Sequence, residues 1–462
     1  MFELNMDTRL PSIKPTKDSP FNGDLMEREK PSEVLRKLVD IFKDGCVMGL
    51  NGKWGSGKTT FLAMWEQYMK NQGYKVIHFN SWENDDIEDP LIAIIAEFQK
   101  ITGKGNPRWN SFVSKLGKIS IAMLPSLLGL ATELTTGVTI SGKVMEKGGD
   151  KGAEIFSQAV DRYLEQKKSI LEFKKELSEF VEENSGNKPI IFVIDELDRC
   201  NPKFAVKTLE RIKHLFEVKN IVYVLAIDEE QLAYSIKGYY GSENFDAKDY
   251  LRRFIRISYD LPINGIKTLV NSLYESFEFS DLESKEKKNK NRFRDLPQFI
   301  LALYYDRKMS IRQLEQYMLF LRIVLENMID LDISPITISM LVLLKLLDDN
   351  FFKQYLSYQV DDSEIIKYIE EHFGNELMDG TSPVSLYSFL PSIADIMMIR
   401  YRPEDRQDSL INKDGSLKFK TSLFNLEQFP QCFSKIDYMM PGLDIIRERI
   451  NILSGVNPNL LK

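Results

Sequence analysis

Gly52-Lys53-Trp54-Gly55-Ser56-Gly57-Lys58-Thr59 fits the spacing G-x-x-x-x-G-K-[ST]. Phosphate chemistry requires this spacing. The glycines let the backbone curl so that several N–H groups point inward at phosphate oxygens. The helix that follows presents its positive end to the same anion. Lys58 has the reach for the β- and γ-phosphates, and the Thr59 hydroxyl is placed for Mg²⁺. The flanks suit the motif. Cys46-Val47-Met48-Gly49-Leu50 is a short apolar run between turn residues, as a buried strand is, and Thr59 to Lys70 reads as a helix. The expected nucleotide contacts run from Gly52 to Thr60, with Thr60 included.

Working outward, Ile190 to Ile194 is an aliphatic strand that ends in Asp195-Glu196. A carboxylate at the strand end can hold the water shell of Mg²⁺, so Asp195 joins Thr59 as an expected metal residue. Its neighbour Glu196 is the expected catalytic base, able to orient or deprotonate a water at the γ-phosphate. Asp228 ends the next apolar strand, Asn220 to Ile227, and suits two roles: a polar group near the γ-phosphate, or an N-cap ahead of Glu229-Glu230. Lys75 to Phe79 is a further strand, and Phe254 to Leu261 suits another.

Strands that are apolar throughout and alternate with helices argue for a parallel sheet covered on both faces. After Pro262 the apolar residues recur at helical spacing to the C-terminus. The expected fold is therefore an α/β domain (about 25–262), with a parallel sheet covered on both faces, followed by a helical region (about 263–462).

The composition agrees. The 462 residues carry a net charge of −7, 43% hydrophobic and 28% charged residues, which excludes a disordered chain and a histone-like polycation. Cys46, Cys200 and Cys432 stand far apart, which excludes a disulfide scaffold and a cysteine-based zinc site and suits a reducing, cytoplasmic setting. His78, His214 and His372 are scattered and form no metal or nuclease motif. The acidic balance weighs against a broad DNA-binding surface. The stretch Lys285 to Arg294 reads as an exposed basic loop and is the one local candidate for a nucleic acid contact.

Taken together, five stretches resemble the KAP family of P-loop NTPases, over roughly residues 18 to 320. They are Asp18 to Arg28, the phosphate loop with its tryptophan, Phe79-Asn80-Ser81-Trp82-Glu83 with Asp89-Pro90-Leu91, Ile194 to Pro202, and Ala226-Ile227-Asp228 with the later Asp249 to Phe254. The resemblance implies an ATPase of the class with an added catalytic glutamate, related to AAA+ and STAND proteins, with ATP and Mg²⁺ as cofactors. It implies an α/β P-loop NTPase fold, a three-layer parallel sheet with a helical lid and a C-terminal all-helical region. The divisions are then an N-terminal arm (1–24), an ATPase core (25–262) with a helical insertion at about 103–185, a lid (263–345) and a C-terminal helical domain (346–462). The resemblance also implies roles for arginines. Arg252 and Arg253 look like the place of an arginine finger that reaches a neighbouring subunit's γ-phosphate, and they equally suit solvated charges beside a strand. Arg312, in Ser310-Ile311-Arg312-Gln313-Leu314, looks like a sensing arginine on the lid helix or a plain surface charge. Arg28 is placed for adenine or ribose. Glu83 is placed to join the site from the adjacent strand, and Trp82 reads as a packing residue.

The family often carries transmembrane helices between the phosphate loop and the acidic strand. Here that interval holds Ile119 to Thr132, an apolar run broken by Pro125 and shorter than the about 20 residues a spanning helix needs. A chain without a transmembrane span is expected, with peripheral membrane association as the alternative. Bacterial relatives are associated with defence against phage. The resemblance thus implies an oligomerising switch or motor, a homo-oligomer, that controls a separately encoded effector. A nucleic-acid-remodelling ATPase and an ATP-binding scaffold without turnover are the alternatives.

Overall fold

The computed structural model describes residues 14–87, 89–103, 105–123, 150–213, 218–242, 244–285, 292–373, 390–402, 405–414, 416–419, 432 and 440–450. The first half alternates strand and helix. Helix α1 (Glu29–Ile41) precedes β1 (Cys46–Asn51), and α2 (Lys58–Asn71) leads to β2 (Lys75–Asn80). Then come α3 (Pro90–Glu97), a short α4 (Gln99–Thr102), α5 (Pro107–Met123) and α6 (Asp150–Ser185). The chain continues through β3 (Ile190–Asp195), α7 (Pro202–Lys213), β4 (Ile221–Ile227), α8 (Glu229–Tyr240), α9 (Ala247–Arg252) and β5 (Ile257–Asp260).

The sheet has five strands in the order β2-β3-β4-β1-β5. Every pairing is parallel: Ile190 lies opposite Ile221 and Lys75, and Cys46 opposite Val222. Central β3 and β4 are buried at every position, as their unbroken apolar sequence requires. Edge strands β2 and β5 alternate in exposure instead. Side chains of a strand point alternately to opposite faces. So Ile190, Phe192 and Ile194 enter one apolar cluster, with α3 and α5 to α8, while Ile191 and Val193 enter another, with α1 and α2. Three layers follow, as the sequence leads one to expect.

The stretch after residue 103 has little visible pattern, yet α5 is a helix packed on α6. Phe112 stacks on Phe180 with ring centroids 4.5 Å apart, and Lys115 meets Glu176 at 2.7 Å. Its apolar stripe is narrow, carried by Trp109, Phe112 and Leu116. Most of the Ile119 to Thr132 run lies outside the described residues. No helix among the described residues is long and apolar enough to cross a membrane.

The second half is helical: α10 (Ile266–Ser276), α11 (Phe279–Lys285), α12 (Leu296–Asp306), α13 (Ile311–Met328), α14 (Pro335–Leu347), α15 (Asp349–Leu356), α16 (Asp362–Phe373), α17 (Leu390–Met398), α18 (Arg406–Leu410) and α19 (Leu443–Ile450). One apolar cluster runs from Met26 and Ile266 to Ile450. The expected boundary at about 345 falls inside it. All thirteen residues of α14 are buried. A helix apolar on every side is stable only where other helices surround it, so the lid and the C-terminal helices share one core. The basic stretch also differs from a free loop at its ends. Lys285 pairs with Glu326 at 2.9 Å, and Arg292 Nε donates to the Ile333 carbonyl at 2.9 Å. Carbonyls just past the end of a helix lack intrahelical donors, and Arg292 supplies them beyond α13. Residues 286–291 lie outside the described residues.

Candidate nucleotide site

The phosphate loop leaves β1 at the carboxyl end of the sheet, where parallel α/β folds collect their ligands. Gly57 sits at φ +83°, a conformation open to glycine, and starts α2. The loop is braced from β4: Gly52 N–H donates to the Ile227 carbonyl at 3.1 Å. Asp228, next in line, is buried and serves two partners. Its Oδ1 accepts from Glu230 and Gln231 N–H at 3.2 Å, capping α8, and its Oδ2 accepts from Trp54 N–H at 3.1 Å. Asp198 adds a second brace, accepting from Trp54 Nε1 and from Asp228 N–H. The cap expected of Asp228 is present, and its other oxygen faces the loop backbone.

Lys58 and Thr59 open α2. The Lys58 ammonium donates to the Gly52 and Lys53 carbonyls of its own loop. Burial lowers its pKa, against the raising fields of Asp198, Asp228 and Asp195. Thr59 Oγ1 donates to Asp195 Oδ2 at 3.3 Å. Burial raises the pKa of Asp195, chiefly by desolvation. A hydroxyl and a carboxylate so close are hard oxygen donors that fit Mg²⁺, an ion that keeps several waters and takes further ligands from phosphate. No group of three His, Cys, Asp or Glu side chains able to hold a metal occurs among the described residues.

Glu196 occupies a left-handed backbone conformation, φ 61° and ψ 23°, ahead of the 3₁₀ turn Leu197–Arg199. Such strain in a non-glycine residue persists only where its surroundings enforce it. Both carboxylate oxygens are engaged. Oε1 meets Arg199 NH1 at 2.7 Å, and Oε2 accepts from Asn80 Nδ2 at 3.2 Å. Asn80 is oriented in turn, since its Oδ1 accepts from Trp82 and Glu83 N–H at 3.0 and 3.3 Å. Its Nδ2 also lies 3.3 Å from Glu83 Oε1, so Glu83 reaches the site through Asn80. Neither Asn80 nor Arg199 stands out as a site residue in the sequence. The available signal was positional: Asn80 is a polar residue ending β2, in register with Asp195.

One cavity is lined by Lys53, Gly55, Gly57, Lys58, Thr59, Thr60, Asp195 and Glu196 together with Asp198 and Arg199. Arg312 comes to its rim. Ile311 N–H donates to the Gly55 carbonyl at 3.1 Å, and a Cβ on Gly55 would lie 3.1 Å from Arg312 Cβ. Ser310 and Gln313 form a capping box that fixes this end of α13.

Two expectations, those for Arg28 and Trp82, are not met as stated, and Arg252 and Arg253 lie away from the cavity. Arg28 is buried, and its NH2 and NH1 donate to the Ser56 and Pro262 carbonyls at 2.9 and 2.6 Å. It ties the loop to the start of the helical half, because a buried guanidinium must find acceptors. Trp82, expected to pack, is 54% exposed, with the Arg199 guanidinium 5.7 Å from its ring centroid. Arg252 and Arg253 are exposed and stand apart from their own chain's loop. Arg253 lies 3.8 Å from Asp249, and the chain enters the sheet just after it, at Arg256 N–H to the Val47 carbonyl, the end opposite the phosphate loop.

Comparison with known proteins agrees with this geometry. A family model described as the KAP family P-loop domain matches residues 28–328, about two thirds of the chain. No curated protein matches. Among solved structures, the ORC2 protein of Aeropyrum pernix, described in ADPNP-ADP complexes, is similar over 94% of this chain and 87% of its own. The identity is 13% and the TM-score 0.27, a likeness too weak to carry an argument.

Proposed function

The chain belongs to the KAP family of P-loop NTPases, and from that premise we propose that it is an Mg²⁺-dependent ATPase working as an oligomerising switch. The observation that carries this reading is the meeting of Lys58, Thr59, Asp195 and Glu196 around one cavity beneath the helix that carries Arg312. In the proposed reaction the loop N–H groups and Lys58 hold the phosphates. Thr59 and Asp195 hold the metal, which would supply charge neutralisation at the phosphates. Glu196 takes the proton of the attacking water. Arg312, on a helix docked to the loop, senses the terminal phosphate and couples it to the helical half.

The exposed position of Arg252 and Arg253, away from their own loop, suits a role toward a second copy of the chain. The output we propose is control of a separately encoded effector in defence against phage, a reading supported by the family resemblance alone. The net charge of −7 weighs against a nucleic-acid motor. The presence of Glu196 beside the cavity weighs against a scaffold without turnover.

Two substitutions test the core of the proposal. Lys58→Ala should weaken ATP binding by about tenfold or more, the worth of a charge-assisted hydrogen bond. Glu196→Gln should keep ATP binding and lower turnover by about 10²–10⁴-fold, as loss of a general base does. Titration with ATP and a phosphate-release assay read both. Full affinity in the first variant removes the phosphate-loop assignment, and normal turnover in the second means another residue is the base. Phage plating on cells expressing the chain with its neighbouring genes tests the output, since Glu196→Gln should abolish any protection.

A further inference from the structure

Arg199 carries the only guanidinium among the described residues that both lines the phosphate cavity and pairs with the proposed base. Its side chain is 38% exposed, against 12% for Glu196. It rests between the Glu196 carboxylate and the face of Trp82, so it is held by one ion pair and one ring rather than by packing. Glu196, by contrast, is fixed from the other side by Asn80. The mobile member of this group is therefore the arginine.

Charge counting gives the arginine a destination. Asp195, Glu196 and Asp198 line the cavity beside Lys53, Lys58 and Arg199. A triphosphate entering there brings several further negative charges close to Glu196. Two anions cannot share one small, partly dry space without a cation between them. A planar guanidinium matches the oxygens of a phosphoryl group in two parallel hydrogen bonds, a geometry a lysine cannot supply.

We propose that Arg199 is a two-position residue that contacts the terminal phosphate from within the same chain. Before a triphosphate binds, it neutralises Glu196 and keeps the carboxylate from acting as a base. When a triphosphate is present, the guanidinium moves onto the γ-phosphoryl oxygens and Glu196 is released. Water oxygen then bonds to the γ-phosphorus as the bond from that phosphorus to the bridging oxygen breaks. One water proton passes to Glu196 and from there to solvent, leaving ADP and inorganic phosphate. A diphosphate has no group at that place, so it leaves Arg199 on Glu196. Trp82, stacked on the guanidinium in the resting position, loses its partner only with the triphosphate.

The proposal rests on the nucleotide reading above, and the experiment separates the two. Affinities for ATP and ADP, each with Mg²⁺, are measured for the full chain and its Arg199→Gln, Arg199→Lys and Lys58→Ala variants, with turnover and melting curves. Arg199→Gln should lose about tenfold or more in ATP affinity while ADP affinity holds, and turnover should fall by about 10²-fold or more. Arg199→Lys should recover part of the turnover, and it carries the same ATP-to-ADP comparison should the glutamine variant fold poorly. The part of the tryptophan fluorescence that a Trp82→Phe variant lacks should change with a non-hydrolysable triphosphate and stay unchanged with ADP. Equal losses for ATP and ADP, or faster turnover in Arg199→Gln, would overturn the proposal and leave Arg199 a structural or purely inhibitory group. A wild type that binds neither nucleotide, or a Lys58→Ala variant that binds both as well as wild type, overturns the nucleotide reading itself and this proposal with it.

Discussion

A single carboxylate, Asp228, holds two elements at once, and its two oxygens can be separated by mutation. Asp228→Ala removes the cap of α8 and should cost about 1–2 kcal/mol of stability, the range for loss of an N-cap. Asp228→Asn keeps an acceptor oxygen for Glu230 and Gln231 N–H but turns an amide donor toward Trp54 N–H. It should therefore melt close to wild type and still bind nucleotide more weakly. Scanning calorimetry beside nucleotide titration checks this, and equal melting losses in the two variants would mean that the cap does not account for the stability. At this scale sequence reasoning finds residues whose chemistry is tied to a motif, such as Lys58, Thr59 and Glu196. It misses Asn80, whose partner Glu196 follows another strand, and Arg199, whose pairing with Glu196 three residues away depends on how the turn after β3 is folded.

Among elements, the contact between the phosphate loop and α13 has no counterpart in local sequence. Gly55 lies at φ +76°, and a Cβ there would sit 3.0 Å from Ser310 Oγ and 3.1 Å from Arg312 Cβ. Gly55→Ala should add about 1–2 kcal/mol of left-handed strain and push the helix end off the loop. Hydrogen exchange at the Ile311 amide, which donates to the Gly55 carbonyl, should then accelerate while the core of β3 and β4 stays protected. Unchanged exchange would show that the helix docks without the loop. The strands were legible because β3 and β4 are apolar at every position and bounded by turn residues. Helix α5 was legible only as part of a helical insertion, since its stripe of Trp109, Phe112 and Leu116 is narrow and its meaning lies in Phe180 of α6.

For the whole molecule, the question is what lies opposite the exposed Arg252 and Arg253. If subunits share sites, Arg253→Ala and Glu196→Gln proteins should each hydrolyse ATP slowly, and mixing them should restore part of the turnover in mixed oligomers. No recovery at any ratio, with sizing that shows assembly, would rule out an arginine acting between copies. The helical half behaves as one body in this fold. Its single apolar cluster, centred on α14, runs through the expected end of the lid near residue 345. Composition marks linkers where polar residues collect, and no such stretch interrupts a helix buried on all sides.

What the amino-acid sequence determined by itself is the nucleotide half: three apolar strands, a glycine-rich loop and an acidic strand end, each dictated by local rules of burial and phosphate geometry. The tertiary structure alone decided how that half is wired. It set Arg28 on the Ser56 and Pro262 carbonyls rather than on a base, put Asp228 under Trp54, stood Arg199 and Asn80 on Glu196, and laid α13 on Gly55. Apart from Arg199 on Glu196, three residues away, these are pairings across 28 to 256 residues of chain. Hydrogen bonds and ion pairs of that separation depend on which surfaces the apolar cores bring together, and no local pattern of residues encodes them.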